Sequence, residues 1–428
     1  MTKDSVTTDL LSFLTDATTP FHAVGVMAER LLAAGFAPWS DASREPIVAG
    51  GKYFTVRNDS SLIAFTAGKD LPQGLRLVGA HTDSPNLSVR PNPSVNRFGC
   101  NLLAVDVYGG ALLNPWFDRD LSMAGKVSFE TGTGELVSRL IDFKAPIAVI
   151  PSLAIHLDRD ANKGRTVNPQ TDMLPLVSLS SGDGDFDIHA MLRAQIAAEY
   201  PDLDIKKILD WELSLYDTQA PTVVGLNNDF ISSARLDNLL SCFGGLQAII
   251  NSADSGEWNL FVANDHEEVG SHSAVGAAGP FLQQTLQRIL PNSEDFARAM
   301  THSTLISTDN AHALHPSHAD KMDPLHSPKI NGGPVIKINA NQRYASNSET
   351  QAFFRALCHR CDIPVQDFVT RSDMGCGSTI GPITAKEIGV KTLDIGLPTY
   401  GMHSIRELTG SHDPLRMKKV LSYFLMRN

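Results

Sequence analysis

No apolar run in this chain approaches the roughly 18 residues that a membrane-spanning helix needs. Positive charge is also in deficit. Lys and Arg number 36 against 47 Asp and Glu, a formal net charge of −11, which argues against a nucleic-acid or anionic-membrane surface because those need clustered cations. The five cysteines are odd in number and scattered, so they fit a reducing compartment better than a disulfide framework. Cys358 and Cys361 form a C-x-x-C, but no second such pair or His pair lies near to complete a zinc site. The run "SETQAFFRALCHRC" reads as a helix, and core packing is the better account of both thiols. Repeats and low-complexity tracts are missing too, which sets aside solenoids and disordered arms. The N-terminal "MTKDSVTTDLLSFLTDA" carries acids where a secretory signal needs a basic start and an apolar centre, and a cytoplasmic location is the expectation.

What is present is ordinary globular composition: 428 residues, 42% apolar and 19% charged, enough for two or three domains. Residues 21–35 follow Pro20 and end at Gly35, the punctuation of a helix. Short apolar runs at 75–80, 259–263, 303–308 and 390–396 each suit a strand buried on both faces, with helical patterns between the later ones. Between about 91 and 224 the texture changes to strands joined by tight turns, as in "KVSFETGTGELVSRLIDF" with its Gly-Thr-Gly hairpin signal. The expected organisation is a discontinuous α/β domain, 1–90 and 225–428, with a β-rich domain inserted at 91–224.

Each candidate α/β strand runs into ionisable residues. His81 and Asp83 follow the first, Asp265, His266, Glu267 and Glu268 the second, Asp309 the third, and His403 lies shortly after the fourth. Ligand sites of open α/β sheets form beyond the carboxyl ends of the strands, so these residues would meet in one crevice, joined by Asp237 at the start of a helical pattern. Imidazole with carboxylate is a ligand set for zinc, manganese or cobalt. Taken singly, each residue has an ordinary role on a surface, at a helix start or in a solvated loop. Jointly, the ordinary reading must explain several strand ends separately. Adjacent Glu267 and Glu268, on a non-helical segment, would point apart, so that one holds a metal and the other faces substrate. A carboxylate beside an activated water is what metal-assisted hydrolysis needs.

The strings "GAHTDSPNLSVRP", "SARLDNL", "NDHEEVGS", "DNAHALHP", "GGPVIKINANQRYAS" and "GMHSIRE" together resemble the M18 metallo-aminopeptidases, the aspartyl-aminopeptidase family. The resemblance implies a mixed-sheet di-metal peptidase domain sandwiched by helices, with an inserted β-rich dimerisation domain. It implies two divalent ions per subunit, zinc first and cobalt or manganese as alternatives. His81 and Asp309 would hold one ion, Glu268 and His403 the other, and Asp237 would bridge them. Glu267 would act as general acid/base in attack by a metal-bridging water on the first peptide bond, and Asp83 would orient His81. His156 matches a histidine that reaches a neighbouring subunit's active site, with metal ligation a secondary assignment, and Lys337 matches a substrate-contacting lysine. Residue type alone would make His156 a surface hairpin residue on a strand-like segment and Lys337 an exposed strand lysine. His312 and His315, near Asp309, would stand behind the ligands. Related di-metal peptidases further imply a cis peptide between Asp237 and Asn238. The expected partners are peptides and other copies of the chain, in a dodecamer built from dimers, with no nucleic acid and no membrane.

Two other readings compete. A related di-metal amidohydrolase, such as an N-acyl amino acid deacylase, would use the same ligands and is separated by assaying aminoacyl-p-nitroanilides against N-acetylated amino acids. A catalytically silent scaffold would be favoured by a replaced ligand or a replaced Glu267, and every expected ligand type is present.

Overall fold

The computed structural model describes residues 2–40, 42–180 and 186–426. The chain divides into two compact units. The larger takes residues 1–84, 221–402 and 407–428; the second takes 85–220 together with the short return 403–406. The sequence had suggested boundaries near 90 and 225.

Among the described residues the larger unit is built on a nine-stranded sheet. From edge to edge its strands are Ala37–Pro38, Lys52–Arg57, Ser61–Thr66, Asn259–Asn264, Arg76–His81, Thr304–Thr308, Lys391–Gly396, Val335–Ile338 and Gln366–Val369. The four runs read as buried strands lie side by side and parallel, in the order Asn259, Arg76, Thr304, Lys391. Alternate residues feed opposite layers, as the period of two requires. Val78, Ala80, Phe261 and Ala263 pack with Phe13, Phe243 and Phe424 of helices Lys3–Asp16, Leu236–Asn251 and Asp413–Met426. Leu77, Leu260 and Val262 pack instead with Phe281, Leu286 and Met300 of helices Phe281–Ile289 and Ser293–His302. Burial on both faces is why these strands are near-continuous apolar runs. The fold is therefore mixed α/β with a mixed sheet between helical layers.

The expected helix after Pro20 spans Pro20–Ala33. Thr19 caps it, Pro20 sits in the first turn where its missing N–H is harmless, and Gly35 adopts φ +82° after its end. "SETQAFFRALCHRC" forms the helix Ser348–Arg360, which opens on a reciprocal capping box between Asn347 and Thr350. Cys358 is buried in its core face, and burial pushes its thiol up to about 12, so packing accounts for it.

The second unit is an antiparallel six-stranded sheet, ordered Leu136–Asp142, Leu121–Thr131, Ile205–Asp217, Asn86–Arg97, Cys100–Tyr108 and Leu176–Leu179. Helix Ile188–Glu199 covers one face through Ile188, Leu192 and Ile196. The Gly-Thr-Gly signal at 132–134 is the hairpin between its first two strands in that order. No described helix in the chain is long and apolar enough to cross a membrane.

Candidate metal centre

The parallel register brings three chain-distant strand ends to one edge. Asn264 pairs with His81, and Ser307 with Gly79, so His81, Asp265 and Asp309 emerge together. Asp83, two residues beyond the Arg76 strand and fully buried, organises the groups around it. His81 Nδ1 lies 3.1 Å from the Asp83 carbonyl and 3.3 Å from its Oδ1. The same carboxylate accepts the Glu267 N–H on Oδ1 at 3.1 Å and the Glu268 N–H on Oδ2 at 3.0 Å. One side chain thus fixes both the imidazole and the loop that carries the two glutamates.

That loop is tighter than the sequence suggested. Glu267–Val269 is a single 3₁₀ turn, entered through His266 at φ 65° and left through Gly270 at φ 99°. The turn still sends adjacent side chains in different directions, because 3₁₀ geometry rotates about a third of a circle per residue.

With a proton on Nδ1 donated to Asp83, the Nε2 lone pair of His81 faces the carboxylates. Nε2 stands 3.7 Å from Asp309 Oδ1, 3.8 Å from Asp237 Oδ1 and 3.9 Å from Glu267 Oε2. Among the described residues, ligand atoms of His81, Asp237 and Asp309 lie within 4.8 Å of one another, and so do those of His81, Glu267 and Glu268. Asp237 is held through its backbone. Its N–H donates to Glu407 Oε2 at 2.8 Å, its carbonyl accepts the Ser84 hydroxyl at 2.6 Å, and the Asp237–Asn238 peptide is cis, as expected. Asn238 donates to the Thr308 carbonyl at 2.9 Å, tying the Asp237 kink to the strand that ends in Asp309.

The residue 13–425 span matches the Aminopeptidase I zinc metalloprotease (M18) family model. The chain belongs to the M18 aminopeptidases. It is 57% identical to a probable M18 family aminopeptidase 2 of Pseudomonas entomophila, over 99% of this chain and 98% of that protein. It superposes on a chain of the Ape4 and Nbr1 complex with TM-score 0.95 at 37% identity, covering 99% of this chain and 86% of the other. It also resembles the S. cerevisiae mApe1 dodecamer subunit, TM-score 0.86 at 27% identity, over 99% and 96% of the two chains. The protein is accordingly a hydrolase acting on peptides, a metallo-aminopeptidase of a zinc family.

The electrostatics of this M18 site fit cations. Burial first, then the charges of Asp309, Asp83 and Asp237, push the Glu267 carboxyl up to about 7 against the opposing pull of His81. Burial alone would lower the His81 pKa, but hydrogen bonds to Asp309 and Asp83 and the charge of Glu267 raise it well above its ordinary value. Carboxylates packed this closely call for positive charge at their centre, and a divalent cation would replace the His81 Nε2 proton in that role.

Other expected residues fall in different places. Lys337 is buried at 4% exposure, with Nζ 3.0 Å from both the carbonyl and Oδ2 of Asp309. His312 and His315 are exposed, packed edge-on against Phe368 and Tyr400 rather than behind the ligands. His403, in the second unit's return, holds φ 67° and places Nδ1 3.2 Å from the Gly110 carbonyl. His156 is exposed in a turn where the Leu157 and Asp158 N–H groups converge on the Ala154 carbonyl. The strand-like segment expected there is not a strand. Its alternating Leu153, Ile155 and Leu157 are 57%, 48% and 75% exposed, and hydrophobic alternation without a pairing edge makes no sheet. Two contributors were missed: Glu407, which holds the Asp237 N–H, and Asn310, which donates to the Leu236 carbonyl at 2.8 Å. Their signal was their place inside the strings "GMHSIRE" and "DNAHALHP".

Proposed function

We propose that this aminopeptidase removes the N-terminal residue of peptides with two divalent cations per subunit, zinc first. His81 and Asp309 would hold one cation, Glu268 and His403 the other, and Asp237 would bridge them. When bound, the pair would supply Lewis acidity that polarises the scissile carbonyl and lowers the pKa of an attacking water. Glu267 moves the proton: its carboxylate takes one from that water and delivers it to the amine nitrogen as the C–N bond breaks. The Glu267 N–H is fixed on Asp83 Oδ1 at 3.1 Å, which sets its carboxylate among the groups that face His81 Nε2, where a proton must be taken up and passed on. Lys337 contacts substrate from the Asp309 side. His156 of a neighbouring copy donates to the oxyanion formed by attack, so the working unit is an oligomer, a cytoplasmic dodecamer built from dimers. The observation that supports this reading most is the two-ended hold on His81, Nδ1 on Asp83 and Nε2 towards Asp237, Glu267 and Asp309.

The test is a pair of neighbours. Glu267→Gln should keep its metal and lose roughly 10²–10⁴ in kcat, the usual worth of a general base. Glu268→Gln should lose metal. Equal metal loss in both variants would show the pair to be wrongly assigned.

A further inference from the structure

One fully buried carboxylate takes no part in the metal chemistry. Asp394 lies within the Lys391–Gly396 strand at 0% exposure. Its Oδ2 accepts the Ala345 N–H at 2.6 Å, and its Oδ1 accepts the Thr379 hydroxyl at 2.7 Å. Its backbone makes a second hold on the same loop: the Asp394 N–H donates to Ser346 Oγ at 3.0 Å, and the Ser346 hydroxyl donates to the Asp394 carbonyl at 3.3 Å. Gly381 leaves room for the carboxylate, since a Cβ there would stand 2.2 Å from Oδ1. Thr379 is also the N-cap of helix Ile380–Ile388, its hydroxyl oxygen accepting the Gly381 N–H at 3.3 Å.

The two segments joined in this way continue directly into walls of one cavity of about 310 Å³. Tyr344, next to Ala345, forms part of one wall; Met374 to Gly377, just before Thr379, form part of another. One wall residue leads to the ligand set: Lys337 Nζ lies 5.2 Å from the Tyr344 ring centre and bonds to Asp309. Across the rest of the gap the walls share a longer bond, Ser378 hydroxyl to Arg343 carbonyl at 3.4 Å. The cavity's charged lining groups are Lys321, Asp323 and Arg371. Arg371 pairs with Asp373 at 2.6 Å and Asp323 with His326 at 2.8 Å, while Lys321 stands 3.8 Å from Asp320. Wall spacing acts beside these charges in deciding what enters.

We propose that Asp394 is a positioning residue for substrate selection, which touches no substrate but fixes the spacing of the Tyr344 and 374–377 walls and so helps to set which first-residue side chains the cavity admits. This rests on the reading that the peptide's first residue binds beside Asp309. A carboxylate suits the role because the Ala345 N–H can only donate and the Thr379 hydroxyl oxygen already accepts from Gly381, so both need an acceptor.

The experiment compares Asp394→Asn, Thr379→Val and Thr379→Ser on a panel of aminoacyl-p-nitroanilides with acidic, basic, small and large apolar first residues. Metal content is measured in each. Losing one of these bonds should raise KM for the best substrate about 5- to 10-fold, the factor expected for one hydrogen bond, with kcat within about threefold. The ranking of first residues should change in Asp394→Asn and in Thr379→Val, and Thr379→Ser, which keeps the hydroxyl, should restore it. Should Asp394→Asn not fold, the Thr379 pair decides alone. A uniform fall in kcat with KM and ranking unaltered would overturn the proposal, since that is what fewer folded molecules would give. An active parent whose ranking survives both changes overturns the positioning role alone; a parent that cleaves none of the panel overturns the underlying reading as well.

Discussion

Among the described residues the second unit buries a single acid, Asp217, and matches it with Arg119 at 3.2 Å and the Gln219 N–H at 3.0 Å. The larger unit buries Asp83, Asp237, Asp265, Asp309, Asp394, Glu407 and Asp413. Backbone N–H groups and hydroxyls hold several of these: Asp394 accepts from the Ala345 N–H and the Thr379 hydroxyl, and Asp83 accepts from the Glu267 and Glu268 N–H groups beside its contact with His81. Asp265, beside Asp83, is pushed up to about 6, by burial first and then by that neighbour's charge. Burying carboxylates without cations is costly. The β-rich unit avoids the cost, and the α/β unit accepts it, with Asp83, Asp265 and Asp309 lying just beyond the carboxyl ends of parallel strands, where the topology offers a crevice. The difference separates a part built for stability from a part whose stability is given up locally to hold a site.

The sharpest way to break this contrast is to remove the cations. Chelation should abolish turnover of aminoacyl-p-nitroanilides, and zinc should restore it, with metal followed by elemental analysis. A metal-free sample with full turnover would end the two-metal reading.

Much of this was legible because strand period and strand-end chemistry are local. His81, Glu267, Glu268 and Asp309 sit within a few residues of apolar runs whose burial follows from composition, and the rule for open α/β sheets places their ends together. Lys337 was not legible in the same way. It is buried because Val335–Ile338 pairs antiparallel with the Lys391–Gly396 strand, Ile336 opposite Ile395, and that long-range register sets its Nζ beside Asp309. The hub role of Asp83 escaped for a similar reason: its partners at 267 and 268 are far along the chain. The strand-like reading of the segment around His156 failed in the opposite direction, a local alternation that found no strand to pair with.

The second test asks whether the β-rich unit is scaffold alone. His156 is exposed, so His156→Ala should leave metal content and Tm unchanged. If the imidazole donates to an oxyanion in a neighbouring copy, kcat should fall roughly 10²–10³, the usual loss for one such donor. Co-expressed His156→Ala and Glu267→Gln should then regain activity, since a mixed pair contains one site with both groups intact. Shown to mix and yet no better than either alone, the two variants would confine the second unit to structure.

The smallest effect is on stability, and its sign distinguishes the larger unit's acids from ordinary surface carboxylates. Glu267, pushed to about 7 from 4.5, Asp265, pushed to about 6, and His81, raised well above 6.5, all bind protons more tightly folded than unfolded. Metal-free protein should therefore gain stability as the pH falls from about 8 to about 5, because the folded state takes up protons first. For Glu267 the cost of ionisation at neutral pH is on the order of 3 kcal/mol, present above its folded pKa and gone below its unfolded one. Asp309 has the opposite sign. Burial would raise it, but Lys337 and His81 hold it well below 3.8, so its stabilising contribution is lost only in more acid solution, outside that window. In metal-loaded protein the cations keep these carboxylates ionised and compete with protons for His81, so acid should lower its stability over the same interval. Denaturant midpoints of chelated and loaded protein at about pH 8 and about pH 5.5 should thus move in opposite directions. Parallel movement would mean that the acids at the strand ends are not packed against one another, and the contrast between the two units would lose its physical basis.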